Sequence, residues 1–261
     1  MFDFHIHSSI SFDSDTQAKE IAESAAAAGL REICFTDHWD YLPNIGDAHN
    51  LFSLEEYSKV YDGLTVEGLT IRRGVEIGLN EWNMPQCREL LLKRDFDFVI
   101  GSVHYADGYD PYDARYWEGK TAEEAYMRYL EKELECVRLH EDFDVLGHLT
   151  YVCKSPCNPF RAPLPYSECR EIADEIMRIL ISRGKGIEIN TSGVDRGVDL
   201  IPSLDYVRRF RELGGEIVTV GSDTHNAERI GQYCNETIAE LKDIFGYVCT
   251  FEKRKPIFHK L

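Results

Sequence analysis

Seven short segments rich in β-branched and aromatic residues alternate with longer amphipathic segments along this chain. The alternation predicts a parallel β-sheet covered by helices, because neighbouring parallel strands are joined by long crossover connections. A closed or nearly closed α/β barrel is the simplest such fold, and an open doubly wound sheet is the alternative. No G-x-G-x-x-G follows a predicted strand, which weakens the dinucleotide-binding form of that alternative. The predicted strands are residues 2–5, 32–36, 70–75, 96–103, 144–149, 186–189 and 216–220.

Helix start and stop signals lie between the predicted strands. Ser53-x-x-Glu56 and Thr121-x-x-Glu124 are typical of capping boxes, in which two side chains satisfy free amides of the first helical turn. Glycines that follow apolar stripes indicate where helices end. These glycines are Gly29, Gly184 and Gly214.

Two longer connections, residues 78–92 and 105–119, are expected to be loops at one face of the sheet. No linker, low-complexity tract or hinge rich in Pro and Ser divides the chain. Residues 1–261 are therefore predicted to form one barrel domain.

Charge and cysteine usage restrict the partners and the compartment. The formal net charge is −17, whereas nucleic acids and anionic membranes are bound by basic surfaces. We therefore expect neither a long nucleic acid nor a membrane as a partner. Eight cysteines are scattered without a CxxC motif, and the first residues resemble no targeting signal, so we expect a reduced, cytoplasmic protein.

Residue types that bind metal ions recur where the predicted strands end. Six of the nine histidines lie there, together with two aspartates and one glutamate. The carboxyl ends of all strands of a parallel barrel meet at one face, so these side chains are predicted to lie close together. The nine candidate ligands are His5, His7, Asp13, His38, Glu76, His104, His148, Asp223 and His225.

The spacing of two pairs favours shared metal ions. Alternate residues of a strand point to the same side, so His5 and His7 can reach one ion, and Asp223-x-His225 repeats this spacing with one carboxylate. Imidazole and carboxylate ligands suit Zn, Mn or Fe, and no thiolate joins the set. Nine ligands exceed the needs of one tetrahedral ion, so two or three divalent ions are predicted.

Four segments at strand ends carry motifs of one known family. They are Asp3-Phe4-His5-Ile6-His7-Ser8 with Ser11 and Asp13, Thr36-Asp37-His38, Gly101-Ser102-Val103-His104, and Gly221-Ser222-Asp223-Thr224-His225. In order and placement the chain resembles the PHP (polymerase and histidinol phosphatase) metallophosphoesterases over nearly its whole length. The resemblance implies a distorted, TIM-like (β/α)7 barrel with the metal site at the carboxyl ends of the strands.

The resemblance also implies three metal positions. The first would be held by His5, His7, Glu76 and Asp223, with Glu76 bridging to the second position. His104 and His148 would complete that second position. The third position would be held by Asp13, His38 and His225. Some family members have a histidine where this chain has Asp13, so the third position here carries a different charge.

The compact length resembles the histidinol-phosphate phosphatase branch of the family. That branch implies a metal-dependent phosphomonoesterase of histidine biosynthesis, which hydrolyses histidinol phosphate to histidinol and phosphate through a metal-bridging hydroxide. One alternative is a phosphoesterase or exonuclease acting on nucleotides or oligonucleotides. Another is a metal-binding module without turnover. The first hypothesis makes a small phosphorylated metabolite the partner and leaves the oligomeric state open.

Three further residues are candidates for roles in such a reaction. Arg161 and Arg196 follow predicted strands and are expected to bind phosphate oxygens. Asp15, two residues after Asp13, is the candidate general acid, with a helix N-cap as its alternative role.

Overall fold

The structure is a computed structural model that describes residues 1–42, 50–160 and 164–261. Its strands are β1 Phe2–Ile6, β2 Glu32–Phe35, β3 His38–Trp39, β4 Thr70–Gly78, β5 Phe98–Ser102, β6 Val145–Leu146, β7 Gly186–Asn190, β8 Val218–Gly221, β9 Tyr247–Glu252 and β10 Lys255–Lys260. Its α-helices are α1 Ala18–Ala27, α2 Leu54–Tyr61, α3 Met84–Lys93, α4 Ala122–Leu139, α5 Arg170–Ser182, α6 Leu204–Glu212 and α7 Cys234–Leu241.

The main sheet is parallel throughout, in the order β1-β2-β4-β5-β6-β7-β8, and β3 pairs with β4. Beyond the last residues of β8, the Asp223 amide donates to the His5 carbonyl and the His7 amide donates to the Thr224 carbonyl, each at 2.9 Å. These two bonds bring the first and last strands together, so the sheet forms a nearly closed barrel. The predicted distorted (β/α)7 barrel is confirmed.

All seven predicted strands are present, with ends that differ by a few residues. Both predicted capping boxes form, and Gly29, Gly184 and Gly214 have positive φ angles after helices α1, α5 and α6. The helices cover the barrel through apolar side chains, which form a continuous buried core from Ile6 to Val248. No helix within the described ranges is both long and apolar enough to cross a membrane.

Two regions differ from the expectations. Residues 78–92 were expected to be a loop, but helix α3 occupies much of them. Only Cys87 and Leu90 of this helix are buried, so its apolar stripe is too short to be distinguished from a loop in the sequence. The antiparallel hairpin β9–β10 follows the barrel and is not among the predicted strands.

Glu133 is a buried acid in helix α4. It is fully buried, although it stands in a run of charged residues typical of a solvated helix face. Burial raises the pKa of Glu133 well above its usual value, and Tyr129 only partly opposes this. The Tyr129 hydroxyl gives its proton to the Val103 carbonyl at 2.6 Å and has no second proton for Glu133. The carboxyl is therefore most stable in its neutral form.

We expect Glu133→Gln to stabilise the protein at neutral and alkaline pH. A raised pKa in the folded state favours folding below pH 4.5, and this contribution is lost as the pH rises toward the folded-state pKa. Because glutamine does not ionise, the variant's advantage in unfolding free energy should grow by about 1.4 kcal/mol for each pH unit between pH 4.5 and the folded-state pKa of Glu133. Urea unfolding from pH 4 to 9 measures this. An advantage that is constant with pH would contradict it, and Glu131→Gln on the exposed face is the control.

Candidate metal centre

The carboxyl ends of the strands bring all nine predicted ligands into one cluster. Strand β1 supplies His5, β3 supplies His38, β4 supplies Glu76, and the others lie in the segments that follow strands. Most of the nine are buried, whereas Asp13 and His225 are partly exposed with 37% and 29% of their side chains accessible. The cluster is therefore closed at its base and open at the side of Asp13 and His225.

Glu76 lies at the centre of the cluster. Its Oε2 is 3.2 Å from His5 Nε2 and 2.9 Å from His38 Nδ1. Its Oε1 is 2.9 Å from His148 Nε2 and 3.4 Å from His104 Nε2. His7 Nε2 also lies 3.6 Å from Oε2, so the carboxylate faces three histidines through one oxygen and two through the other. This arrangement suits a residue that bridges two ions.

The other two carboxylates complete the cluster on the opposite sides. Asp223 Oδ1 lies 3.2 Å from His7 Nε2 and 3.7 Å from His5 Nε2. Asp13 Oδ2 lies 3.1 Å from His225 Nε2 and 3.5 Å from His38 Nε2. The structure therefore brings the members of each of the three positions implied by the resemblance close together. Because His38 also contacts Glu76, the division of these ligands among three positions stays a prediction.

Several of these ligand-type atoms are buried without a hydrogen-bonding partner in the described part of the chain. They include His5 Nε2, His7 Nε2, His38 Nδ1 and Glu76 Oε2. Buried polar atoms normally have a hydrogen-bonding partner. Here the histidine nitrogens lie 2.9–3.6 Å from Glu76 Oε2 without hydrogen-bond geometry, so these atoms are suited to ligate ions between them. Sets of three such atoms lie within 4.8 Å of one another, among them His5, His7 and Glu76. The residues fit divalent metal ions.

The histidines also bind side chains behind the cluster, which the sequence did not reveal. His5 Nδ1 lies 2.6 Å from Glu188 Oε1, and His104 Nδ1 lies 3.0 Å from Asp40 Oδ2. Such bonds fix the ring orientation and leave the other ring nitrogen for the metal. Glu188 lies in β7 two residues before Asn190, but none of the motifs includes this strand, so only the tertiary structure identifies it.

Asp223 is held by a second set of residues that the sequence did not identify. Its Oδ2 forms a buried ion pair with Lys154 and accepts hydrogen bonds from Asn190 Nδ2 at 3.1 Å and from Ser192 Oγ at 3.3 Å. Its other oxygen therefore faces the histidines. Lys154 lies in a 3₁₀ helix after β6, within a loop that carries no recognisable motif.

The electrostatics of the cluster follow from this packing. Burial alone would raise the pKa of Glu76, but His5, His38 and His104 hold it well below its usual value. Burial likewise opposes ionisation of Asp223, and Lys154 and His5 lower its pKa well below the ordinary range. Both carboxylates are thus ionised, as metal ligands must be.

A cavity of about 430 Å³ opens onto the cluster. Its wall includes three basic side chains, Lys154, Arg196 and Arg229. Arg196 packs against Tyr112 and donates to the Lys154 carbonyl at 3.0 Å. The predicted phosphate-binding residue Arg196 therefore lies at the site, and the other one, Arg161, lies outside the described residues.

Asp15 does not line this cavity. Its side chain is exposed, whereas the adjacent Ser14 is buried and donates to the His225 carbonyl at 2.8 Å. Ser14, and not Asp15, is therefore the residue of this pair that contacts the segment of His225. The residue that precedes α1 as its N-cap is Gln17, so Asp15 does not have that role either.

We expect Glu188→Gln to weaken metal binding about 10- to 100-fold, because the neutral amide no longer orients and polarises His5. Competition with a chelator, followed by elemental analysis, measures the affinity. The exposed Glu171→Gln, on helix α5, is the matched control. Unchanged affinity in Glu188→Gln would contradict the role of this carboxylate.

Comparison with known protein families gives one match that covers most of the chain. A family model described as the PHP domain matches residues 3–192. A histidinol-phosphatase of Lactococcus lactis is 35% identical over 233 residues, which are 87% of this chain and 85% of that protein. A probable histidinol-phosphatase of Clostridium acetobutylicum is 30% identical, over 97% of this chain and 98% of that protein.

Solved structures with the same fold include two bacterial proteins. The crystal structure of histidinol phosphate phosphatase from Lactococcus lactis, complexed with Zn, L-histidinol and phosphate, has a TM-score of 0.88 and 32% identity, and the match covers 98% of both chains. A structure described as the putative histidinol phosphatase of Listeria monocytogenes has a TM-score of 0.75 at 20% identity, over 90% of this chain and 99% of that one. The second match supports the fold alone.

Proposed function

This chain belongs to the PHP family, and from that premise we propose that it is a metal-dependent phosphomonoesterase that hydrolyses histidinol phosphate to histidinol and phosphate. The observation that carries the proposal is the match over 98% of both chains to a histidinol phosphate phosphatase that holds Zn, L-histidinol and phosphate. The names of the curated relatives support the same reaction and a role in histidine biosynthesis.

We propose that the cluster holds two or three divalent ions, with Zn, Mn and Fe as the candidate metals. The first position would use His5, His7, Glu76 and Asp223. Glu76 would also serve the second position with His104 and His148, and Asp13, His38 and His225 would serve the third. Divalent ions bound at such a site supply an activated water at neutral pH and stabilise the charge that develops on the phosphoryl oxygens.

The side chains around the cluster prepare it for that chemistry. Glu188 and Asp40 hold the His5 and His104 rings in place, and Lys154 fixes which oxygen of Asp223 faces the ligands. The basic side chains of the cavity wall are well placed to bind and orient the phosphate group. We propose Arg161 and Arg196 for that contact, supported for Arg196 by its place in the cavity wall.

Two further proposals concern the domain organisation of the chain and its location in the cell. The buried core from Ile6 to Val248 supports one domain over residues 1–261, and we propose that organisation. All eight cysteines are free, seven of them buried, which supports the proposal of a reducing, cytoplasmic location.

Phosphate release with Zn, Mn or Fe added tests the proposed reaction. We expect kcat/KM for histidinol phosphate to exceed that for a mononucleotide, a short oligonucleotide and p-nitrophenyl phosphate by at least about 100-fold, as is typical where buried polar groups recognise a substrate. The variant His5→Ala is the control for metal dependence. Equal rates on histidinol phosphate and p-nitrophenyl phosphate would contradict the substrate, and faster oligonucleotide cleavage would favour the exonuclease alternative.

Substitution of Arg196 by Met tests the phosphate contact. We expect KM for the phosphate ester to rise about 10- to 100-fold, because a charge-assisted hydrogen bond to phosphate is lost while the metal ligands stay in place. Steady-state kinetics and metal content measure the two effects separately. Arg170→Met, on helix α5 outside the cavity, is the control, and an unchanged KM in Arg196→Met would contradict the assignment.

A further inference from the structure

Four carboxylates line the cavity above the cluster of predicted ligands, and three of them have basic partners. Asp13 pairs with His38 and His225, Asp40 with His104, and Asp223 with Lys154. The fourth, Asp110, forms no ion pair with any residue that the structure describes. Among the described residues it is therefore the carboxylate of this wall that has no basic side chain within ion-pair distance.

Asp110 is held firmly in its position. Its Oδ1 accepts hydrogen bonds from the Tyr112 amide at 2.8 Å and from the Tyr151 hydroxyl at 3.3 Å. Both donors bind the same oxygen, and within the described ranges no protein donor binds Oδ2. The second oxygen is thus left for a ligand in the cavity.

Asp110 lies close to the metal-ligand histidines at the base of the cavity. The Tyr151 ring, whose hydroxyl binds Asp110, packs 4.8 Å from the His148 ring and 5.5 Å from the His104 ring. The same ring stacks on Tyr112 at 5.4 Å, and Tyr112 contacts Arg196. One aromatic pair therefore separates Asp110 from two metal ligands and from a basic residue of the wall.

The environment of Asp110 favours a cationic ligand. Burial raises the pKa of this carboxyl, and the hydrogen bond from the Tyr112 amide and the charge of His104 only partly oppose the shift. A cation that binds the free oxygen would stabilise the ionised form in this partly desolvated site. A primary ammonium is such a cation, and it gains most where water is excluded.

We propose that Asp110 is a specificity residue that binds the ammonium group of the substrate, and so selects phosphate esters of amino alcohols over other phosphomonoesters. The proposal rests on the proposed function, since histidinol phosphate carries its ammonium on the carbon next to the ester-bearing one. The basic side chains of the cavity wall and the cluster would then bind the phosphate group, and Asp110 would bind the ammonium group a few atoms away in the same substrate.

The test compares histidinol phosphate with its deamino analogue, 3-(imidazol-4-yl)propyl phosphate, in the metal-loaded protein. We expect Asp110→Asn to lower kcat/KM for histidinol phosphate about 10- to 100-fold, mainly through KM, and to change that for the analogue less than about 2-fold. Asparagine keeps the oxygen that Tyr112 and Tyr151 bind, so the wall should remain intact. Asp107→Asn, an equal charge change on the same segment outside this cavity, is the control.

Each outcome has a definite meaning. If Asp110→Asn lowers kcat/KM for both substrates equally, or for neither, the ammonium contact is overturned while the proposed function stands. If the wild-type protein does not distinguish histidinol phosphate from the deamino analogue, this inference is overturned. If it also hydrolyses histidinol phosphate no faster than p-nitrophenyl phosphate, the proposed function fails separately.

Discussion

The site depends on one fully buried carboxylate, Glu76, which five imidazole rings surround. A charge taken out of water costs several kcal/mol unless other groups compensate it. Here the compensation comes from five histidines, which four other strands (β1, β3, β5 and β6) and their following segments hold around β4. They are His5, His7, His38, His104 and His148. Glu76 requires these partners, and the strands that form the barrel are the ones that place them. The geometry of the metal centre therefore depends on the closure of the barrel.

The closure of the barrel requires that the backbones of β8 and β1 approach each other very closely beside the cluster. At Gly221 a side chain would place its Cβ 2.3 Å from His5 Cβ and 2.6 Å from Glu188 Oε1, so only glycine fits between β8 and β1. Two residues later Asp223 has a φ angle of 53°, in the left-handed region that a residue other than glycine adopts at some cost. Its bonds to Lys154, Asn190 and Ser192 hold it there. The strained turn aims its other oxygen at the histidines.

Charge is distributed to suit a small substrate. The net charge of −17 works against long nucleic acids, yet the cavity wall presents Lys154, Arg196 and Arg229 beside the cluster. Asp110 stands on the same wall without a basic partner in the described chain. A wall with cations for a phosphate and one free carboxylate suits a metabolite that carries both charges. We therefore expect the net negative charge to disfavour nucleic-acid polymers, and we propose that the cavity selects among metabolites.

The sequence by itself determined the alternation of strands and helices, the seven barrel strands and the residues of the metal cluster. It could do so because strand periodicity and ligands at strand ends are local patterns, as in His5-x-His7. Helix α3 was missed because its buried stripe holds only Cys87 and Leu90. The tertiary structure alone showed that Glu188, Lys154 and Asp110 lie at the site and that Asp15 is exposed and does not line the cavity. Those positions depend on which segments meet across the barrel, and residues far apart in the chain carry no local signal of such contacts.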